Sequence, residues 1–301
     1  MQQKVQIQIV TWNSRPYLEQ LFAGIAAQHG IDYTVLIIDN ASTDGTVEWI
    51  EKHIIQNQTG KKEVLIKNEE NRGYAGAHNQ GFEQCAAPYV LTLNPDAVLE
   101  PGFLEHATTA ITADASIASI QGKLYQILPK HGKPGIIDSC GLKMRFFGQI
   151  VDTGQNTTDK GQYASNRLIF GPTGAVALYR TAALKDVRER NGILDERFHS
   201  YKEDVDLAWR LKQAGWKSLF VPKAQAQHIR QVKKGGRNER DERVKLLSQH
   251  NHLLMLKKNL ALRDWWRIPW IIIYELLKLA YIILFEREIL KAYKIVVSHK
   301  T

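Results

Sequence analysis

The chain has 301 residues, of which 44% are hydrophobic and 24% are charged, so it can bury one large core or two modest ones and is not a disordered chain. The formal net charge is +9, but residues 1–229 carry 24 Lys and Arg against 24 Asp and Glu, whereas residues 230–301 carry 16 against 7. A neutral body with a basic tail argues against a nucleic-acid binder and favours an anionic surface, such as membrane headgroups, met by the tail alone.

The cysteines and the N-terminus indicate a compartment. Cys85 and Cys140 lie far apart and belong to no CxxC or Cys/His cluster, so both are interpreted as free thiols of a reducing cytoplasm. From Met1 the chain enters a strand-like run without the apolar stretch of a signal peptide. These features predict a cytoplasmic protein that is not secreted.

The first 93 residues alternate between strand and helix patterns. Predicted strands cover 5–11, 33–39, 64–68 and 89–93. Predicted helices run to about residue 28 after Asn13-Ser14 and Pro16, and over 46–53 and 74–86. Buried strands that alternate with helices predict an α/β fold with a mostly parallel sheet flanked by helices.

The order becomes less regular after Pro101-Gly102. The pattern predicts a helix near 103–111, a strand near 117–124, a hairpin-like stretch over 133–154, a strand over 170–179, a helix over 203–215 and a strand over 217–221. A catalytic domain over 1–229 is then predicted, followed over 230–301 by a basic linker, at 232–243, and a helical tail with helices at 244–260 and from about 265.

Polar groups follow three of the predicted strands or lie beside their ends, where an open parallel sheet binds its ligands. Asp39 ends the second strand, a glycine-rich stretch runs from Asn71 to Gly81, and Asn94-Pro95-Asp96 follows the fourth strand. A carboxylate there can accept hydrogen bonds from a nucleoside, or can bind Mg²⁺ or Mn²⁺ beside a diphosphate. Taken alone, Asp39 and Asp96 are still better explained by turns and helix caps.

The glycine-rich stretch has no established phosphate-binding spacing, because it matches neither GxGxxG nor GxxxxGK[ST]. Gly73 and Gly76 would let the backbone approach a ligand closely, and a helix N-terminus there would favour an anion. A glycine-assisted start of a helix is the equal alternative.

In combination, Asp39 with its following Asn-Ala-Ser-Thr-Asp-Gly, the Asn-x-Gly-x-x-Gly-x-x-Asn stretch and Asn94-Pro95-Asp96 resemble family 2 glycosyltransferases over about residues 6–228. The resemblance implies the GT-A fold, a Rossmann-like α/β sheet, with a nucleotide-sugar donor and Mg²⁺ or Mn²⁺ as cofactor. It implies that Asp39 contacts the nucleoside and that Asp96 holds the cation. The predicted substrate-binding residues are Thr11, Asn13, Asp39, Asn71, Gly73, Gly76, Asn79, Asn94, Gly174 and Glu203.

Asn94 and His228 both affect the predicted cation site. The family's motif is usually Asp-x-Asp, whereas Asn94 replaces the first acid here, which predicts a weaker metal site that depends more on the nucleotide diphosphate. His228 follows the last predicted strand, where similar enzymes often place a histidine near the metal. A metal-ligand role and an ordinary loop position are equal alternatives for His228.

The segment around Glu203-Asp204-Val205-Asp206 resembles the family's Glu-Asp segment, whose second acid is the catalytic base of inverting enzymes. The match assigns that role to Asp204, and the chemistry agrees because a sugar hydroxyl must lose its proton as it attacks the anomeric carbon. Asp206 lies four residues before Arg210, so an i,i+4 ion pair and a structural role are predicted for it.

The motif set looks most like the rhamnosyltransferase-type branch, which uses dTDP-L-rhamnose to extend lipid-linked cell-surface polysaccharides. The matching segments are 94–96, 171–175 and 203–207. The alternatives are a UDP-sugar donor and a catalytically inactive sugar-nucleotide-binding protein of the same fold. A nucleotidyltransferase is disfavoured. Enzymes of that class have a glycine-rich loop after the first strand, whereas the corresponding loop of this chain, Trp12-Asn13-Ser14-Arg15, has no glycine.

The tail contains an 18-residue apolar run over 268–285, close to the ~20 residues that span a membrane, but Glu275 and Lys278 interrupt it. A helix in the membrane interface is therefore predicted, with Trp residues in the headgroup region and basic residues against anionic lipid. The residues concerned are Trp265, Trp266, Trp270, Arg263, Arg267, Lys278 and Arg287. The predicted location is the inner face of the cell membrane; packing of the tail on the domain or on a second copy is the alternative.

Overall fold

The computed structural model describes residues 5–56, 63–127, 135–229 and 242–293. Its strands are β1 (Val5–Thr11), β2 (Tyr33–Asp39), β3 (Glu63–Lys67), β4 (Tyr89–Leu93), β5 (Ala97–Leu99), β6 (Ile117–Gln126), β7 (Ile137–Ser139), β8 (Leu142–Met144), β9 (Ile150–Asp152), β10 (Arg167–Ile169), β11 (Val176–Arg180) and β12 (Lys217–His228). Its α-helices are α1 (Leu18–Ala26), α2 (Thr46–Ile50), α3 (Gly73–Glu83), α4 (Phe103–Ala113), α5 (Thr181–Asp186), α6 (Glu203–Gln213), α7 (Glu242–Asn259) and α8 (Ile268–Phe285).

The N-terminal strands form the parallel part of the sheet. β1 lies between β2 and β4 and runs parallel to both, with Thr11 opposite Asp39 and Ile9 opposite Leu93. These strands are apolar and buried because helices cover both faces of a parallel sheet. The predicted bounds of β1, β2 and β4 are confirmed, and their carboxyl ends lie side by side.

The complete sheet is mixed. Its strand order is β10-β12-β6-β11-β4-β1-β2-β3, with β5 paired to β12 and β7 paired to β6. β11 runs antiparallel to both β4 and β6, so it joins the parallel set β3-β2-β1-β4 to the parallel pair β6-β12. The predicted α/β fold is confirmed, and the reversal at β11 is the feature that the local sequence pattern did not predict.

The strand predicted over 170–179 is wrong in its first half. β10 ends at Ile169 and β11 begins at Val176. Pro172 has no backbone N–H to donate, and the N–H groups of Thr173 and Gly174 donate to side chains of Gln121 and Asp204. Residues 170–175 therefore form a loop whose backbone donates a hydrogen bond to Asp204, the candidate base.

The main core lies between the sheet and helices α1 and α4. Ile7, Ile9 and Leu91 of the sheet are fully buried together with Leu21 of α1 and Phe103 of α4. These helices present apolar residues on one face, and their burial against the strands supplies the dominant favourable term in folding. The core fixes the edge of the sheet at which the candidate residues lie.

Helix α7 packs on the part of the chain that carries the candidate base. Leu254 and Met255 of α7 share a buried cluster with Phe198, Val205 and Trp209. The linker predicted over 232–243 lies almost wholly outside the described residues, as do residues 294–301, and the domain boundary at 229 stays a prediction.

Helix α8 lies against the β8–β9 hairpin. Nη2 of Arg267 donates a hydrogen bond to the carbonyl of Arg145 at 2.6 Å, and the ring of Phe146 lies 5.8 Å from the rings of both Trp266 and Trp270. The hairpin turn and the start of α8 thus form one aromatic surface, although they are far apart in sequence.

Candidate active site

Asp96 and His228 meet at the carboxyl ends of β4 and β12. Nε2 of His228 lies 3.3 Å from Oδ1 of Asp96, and Nδ1 of the same ring lies 2.9 Å from Oδ2 of Asp138, which follows Ile137 in β7. The pairing of β5 with β12 places Ala97 opposite His228 and so brings Asp96 beside the ring. The imidazole therefore bridges two carboxylates.

The two carboxylates determine the charge of the ring. Burial by itself would lower the pKa of His228, but the hydrogen bonds to Asp138 and Asp96 and the charges of both raise it to about 9. In the absence of a metal ion the imidazole is therefore protonated at neutral pH and neutralises part of the negative charge.

The geometry of this pair fits a divalent ion that takes few protein ligands. Ligand atoms at 2.0–2.1 Å from Mg²⁺ in an octahedron lie about 3 Å from their neighbours, close to the 3.3 Å between His228 and Asp96. Within the described ranges, no group of three or more His, Cys, Asp or Glu side chains is arranged to hold a metal ion. The fit is thus to an ion whose other positions are filled by water and diphosphate oxygens.

Asp204, the candidate base, is held at the start of α6 by two backbone donors. Its Oδ2 accepts the N–H of Gly174 at 2.9 Å and its Oδ1 accepts the N–H of Val205 at 2.8 Å. Burial raises the pKa of Asp204, and these hydrogen bonds and the charge of Lys202 oppose that increase. A fixed carboxylate with a raised pKa is better suited to accept a proton than an ordinary surface aspartate.

Glu203 lies in the interior beside Asp204. Burial, together with the negative charge of Asp204, raises the pKa of Glu203 well above its ordinary value. Its Oε2 atom is buried and has no hydrogen-bond partner among the described residues. Both effects favour the neutral form of Glu203, so Asp204 is the more readily ionised of the two neighbouring carboxyl groups.

The loop that leaves the sheet before β11 connects Asp204, the candidate base, to the turn that carries Asp96. The carbonyl of Ala175 accepts the N–H of Asn94, while Gly174 donates to Asp204 and accepts the hydroxyl of Tyr74 at 2.7 Å. Asn94, Gly174 and Asp204 thus belong to one continuous network. Their convergence is the geometry expected of a site that positions a donor next to a proton acceptor.

Asp39, Thr11 and Asn13 form a second group at the ends of β1 and β2. Oδ1 of Asp39 accepts the hydroxyls of Thr11 and Ser42, and its Oδ2 accepts the N–H of Ser42. Asp39 is only 1% exposed, whereas Asn13 is exposed and holds Thr43 through its side-chain oxygen. In this structure Asp39 fixes the loop after β2, and its predicted contact with a nucleoside stays a prediction.

The glycine-rich stretch starts α3 and packs on the loop before α6. Gly73 has a φ of +72°, and a Cβ atom there would lie 2.7 Å from His199, so only glycine fits. Asn71 accepts the N–H of Gly73 at 2.8 Å and is exposed. Gly76 and Asn79 are buried, and Asn79 bonds to Leu194 and Glu196. The structure therefore shows packing by Gly76 and Asn79 and leaves Asn71 accessible.

Asp206 has the structural environment that its spacing predicts. It is fully buried, and its Oδ2 accepts Nε of Arg210 at 2.8 Å and Nζ of Lys258 at 2.9 Å, while its Oδ1 accepts Nδ2 of Asn259. The i,i+4 pair is confirmed, and its partners on α7 are contacts that the local sequence did not reveal.

Three further residues have positions that suggest a functional role and were not identified from the sequence: Trp12, Asp138 and Asn251. Trp12 is 58% exposed directly after β1, where a large aromatic residue behind a buried strand is a recognisable signal. Asp138 holds the ring of His228, and Asn251 donates to the carbonyls of Phe198, Ser200 and Tyr201 at 2.8 Å each. No local pattern predicts the last two, because their partners are distant in sequence.

A mixed α/β sheet with this arrangement of carboxylates at one edge defines the GT-A class of glycosyltransferase fold. Residues 7–188, more than half of the chain, match the family described as "Glycosyl transferase family 2". The chain belongs to that family and is a glycosyltransferase.

Similar proteins agree with this assignment. The chain is 28% identical to N-acetylglucosaminyl-diphospho-decaprenol L-rhamnosyltransferase of Mycobacterium tuberculosis (strain CDC 1551 / Oshkosh) over 280 residues, which are 86% of this chain and 85% of that protein. GalNAc-T7, solved with UDP, GalNAc and Mn²⁺, is 14% identical with a TM-score of 0.65 and covers 85% of this chain and 48% of its own. The mannosyltransferase PcManGT from Pyrobaculum calidifontis, solved with GDP-Man and Mn²⁺, is 14% identical with a TM-score of 0.60 and covers 100% of this chain and 89% of its own. Both structures are similar to this chain in fold.

Proposed function

We propose that this chain is a metal-dependent, inverting glycosyltransferase that moves L-rhamnose from dTDP-L-rhamnose to a lipid-linked or polysaccharide acceptor in cell-surface glycan synthesis. The observation that carries the proposal is the hydrogen bond between Gly174 and Asp204, because the same loop is bonded to Asn94 at the turn that carries Asp96. The similarity to a rhamnosyltransferase with a diphospho-decaprenol acceptor supports both the donor and the lipid-linked acceptor.

Asp204 is the residue that takes the proton of the acceptor hydroxyl. An inverting transfer requires the hydroxyl oxygen to attack the anomeric carbon from the side opposite the leaving nucleotide, and the hydroxyl proton must leave as the new bond forms. The backbone N–H groups of Gly174 and Val205, which donate to Asp204, fix the orientation of its carboxylate. Burial and the charge of Asp204 favour the neutral form of the neighbouring Glu203.

The donor would lie along the carboxyl ends of β1, β2 and β4. Exposed Trp12 offers a flat surface for the nucleobase, and Asn13 and Asn71 offer exposed amides. Asp96 and His228 would hold Mg²⁺ or Mn²⁺, which when bound neutralises charge on the donor diphosphate. Asp138 would keep the ring of His228 oriented through Nδ1.

The tail would place the enzyme on the inner face of the cell membrane. Within the described residues, Ile268–Phe285 is a helix long and apolar enough to cross a membrane by length and composition. Its two charged residues face the protein, since Glu275 contacts His252 at 2.7 Å and Lys278 lines a cavity beside α7. Its outer face is apolar, with Leu276 60% and Leu277 68% exposed. This division favours a helix that lies in the interface over one that spans the bilayer.

The test is sugar transfer by the purified protein with Mg²⁺ or Mn²⁺ and a panel of dTDP-, UDP- and GDP-sugars. We expect turnover of dTDP-L-rhamnose, with a fall in kcat of about 10²- to 10⁴-fold in Asp204→Asn and a similar loss in Asp96→Ala. Asp32→Asn, an exposed aspartate at the far end of the sheet, is the matched control and should behave as the wild type.

The outcomes separate the alternatives. Preference for a UDP-sugar would keep the glycosyltransferase and reject the rhamnosyl donor. Nucleotide binding without any transfer to a lipid-linked or glycan acceptor would favour an inactive sugar-nucleotide-binding protein. Full activity in Asp204→Asn would reject the assigned base.

A further inference from the structure

A cavity of about 220 Å³ lies between the β8–β9 hairpin, the start of α6, and helices α7 and α8. Three lysines line it, Lys202 before α6, Lys245 on α7 and Lys278 on α8, together with polar side chains such as Gln149 and Tyr274. A single water needs about 10–15 Å³ of such volume. The cavity is therefore large enough for a polar group of several atoms.

The lining of the cavity is cationic. The residues that line it include no carboxylate. Glu275 and Glu286 lie behind the lining, where Glu275 contacts His252 at 2.7 Å and Glu286 lies 3.6 Å from Lys245. Burial lowers the pKa of His252, so the positive charge of the lining comes from the three lysines, and Glu286 compensates part of the charge of Lys245. Lysines converging from three elements on one polar cavity are a typical environment for phosphate groups.

Two residues that line the cavity are close in sequence to groups that act on the candidate base. Lys202 precedes Asp204 by two residues, and its charge acts on the pKa of Asp204. Val151 of the hairpin also lines the cavity and is followed by Asp152, whose charge acts on Asp204 as well. The cavity thus adjoins two chain segments whose charged residues act on Asp204.

One wall of the cavity belongs to the helix with the exposed apolar face. Tyr274 and Lys278 of α8 point to the cavity, and Ile271 and Ile282 of the same helix are buried. The exposed large apolar residues occupy the other side of α8 and the hairpin turn: Phe146, Phe147, Ile272, Ile273, Leu276, Leu277, Ile283, Leu284 and Phe285. The cavity therefore lies between the base and an apolar surface.

We propose that this cavity binds the diphosphate of a lipid-diphosphate-linked acceptor, with the attached sugar directed to Asp204 and the lipid chain along the apolar face of α8. The inference rests on the proposed function and specifies its acceptor. A ligand that is a sugar at one end, an anion in the middle and a hydrocarbon at the other end matches the order of base, lysines and apolar surface. A diphosphate carries enough negative charge to be held by several lysines.

The direct test is isothermal titration of the protein with farnesyl diphosphate in EDTA, which removes the metal needed for diphosphate binding at the donor site. We expect the wild type to bind, with affinity at least tenfold weaker in Lys245→Gln/Lys278→Gln and unchanged in Lys291→Gln, an exposed lysine of the same tail. Farnesol, which has no diphosphate, should bind at least tenfold more weakly. Equal affinity in the double variant, or no binding by the wild type, would overturn the proposal.

Vesicle binding distinguishes a lipid diphosphate from the phosphate of bulk anionic lipid as the group that these lysines bind. Sedimentation with phosphatidylglycerol vesicles that contain no lipid diphosphate should be equal for the double variant and Lys291→Gln. A loss of binding specific to the double variant would mean that these lysines hold bulk anionic lipid, which would overturn the proposal. Inorganic diphosphate should compete with farnesyl diphosphate if the anion is the group recognised, and failure to compete would count against it.

Transfer assays separate this inference from the proposed function. With a lipid-diphosphate-linked sugar as acceptor, we expect the KM for the acceptor to rise at least tenfold in the double variant while kcat at saturation changes less. Transfer by the wild type with an unchanged acceptor KM in the variant would reject the cavity and leave the proposed function standing. Absence of transfer by the wild type would reject the proposed acceptor itself. Because Lys245→Gln leaves Glu286 without that contact, Lys278→Gln alone serves as the deciding variant if the double variant does not fold.

Discussion

Nε2 of His228 lies 3.3 Å from Oδ1 of Asp96, which places an imidazole and a carboxylate at adjacent positions of a potential octahedral site. We predict that His228→Gln weakens Mn²⁺ binding to the complex of protein and nucleoside diphosphate at least tenfold, and that Asp138→Ala, which removes the hydrogen-bond partner of Nδ1, weakens it about 10- to 100-fold. Electron paramagnetic resonance of free Mn²⁺ measures this. His29→Gln, at an exposed histidine, is the control, and unchanged Mn²⁺ binding in His228→Gln would contradict the metal site.

The raised pKa of Asp204 predicts a pH profile. Because the carboxylate must be ionised to accept a proton, kcat should fall as the pH falls through the pKa of Asp204, and the midpoint should lie above the ordinary aspartate value of 3.8. The profile is measured at saturating donor and acceptor. A midpoint at or below 3.8 would show that the acid limb does not report this carboxylate.

The same shift predicts the effect of Asp204→Asn on stability. A carboxyl group whose pKa is higher in the folded state than in the unfolded chain loses stability as the pH rises from the unfolded value through the folded one. The fall in melting temperature between about pH 4 and pH 8 should therefore be smaller in Asp204→Asn than in the wild type. The variant should also melt lower at every pH, because its amide accepts only one of the two backbone N–H groups. Circular dichroism measures both, and an equal fall with pH in the two proteins would show that Asp204 does not titrate in this way.

Asp206 should contribute strongly to the stability of the folded protein. Asp206→Ala leaves the buried cations Arg210 and Lys258 without one of their carboxylates, so we predict a loss of about 3–5 kcal/mol in the free energy of unfolding. Glu83→Ala is the matched control, because the Arg188–Glu83 pair is exposed and its loss should cost at most about 1 kcal/mol. Urea denaturation measures both, and equal effects would exclude a structural role for the buried network.

Asn251 links helix α7 to the loop that carries the base. Its amide donates to three carbonyls of residues 198–201, so Asn251→Ala should reduce the free energy of unfolding by about 1–3 kcal/mol. We also expect kcat to fall about tenfold with little change in donor affinity, since a misplaced base affects the chemical step. Lys257→Ala, at an exposed position of α7, is the comparison. Wild-type kcat in a folded Asn251→Ala protein would refute the positioning role.

The outer face of α8 predicts how the protein meets a membrane. Leu277→Glu/Leu284→Glu places charges where the side chains are 68% and 66% exposed, so folding should be unaffected while sedimentation with phosphatidylglycerol vesicles falls at least tenfold. Leu168→Glu, 61% exposed on β10, introduces the same change away from the tail and should not alter binding. Undiminished sedimentation of the double variant would show that this face does not bind lipid.

The sequence by itself determined the elements that depend on short-range pattern. A β-branched run predicted β2 and a short, largely apolar run predicted β4, both to the residue, because strands buried on both faces need continuous apolar sequence. The spacing of Asp206 and Arg210 predicted their ion pair, since residues four apart lie on one face of a helix. The motifs around Asp39, Asp96 and Asp204 likewise indicated the family, which the match over 7–188 confirms.

Only the tertiary structure decided which groups meet. Asp138 reaches His228 because β7 and β12 both pair with β6, and Asn251 reaches the loop before α6 because α7 packs there. The loop at 170–175 leaves the sheet where the N–H groups of Thr173 and Gly174 bond to the distant side chains of Gln121 and Asp204, so no local propensity could reveal it. Contacts between residues far apart in the chain depend on the packing of whole elements, and the lysine cavity between the hairpin, α7 and α8 exists only once that packing has formed.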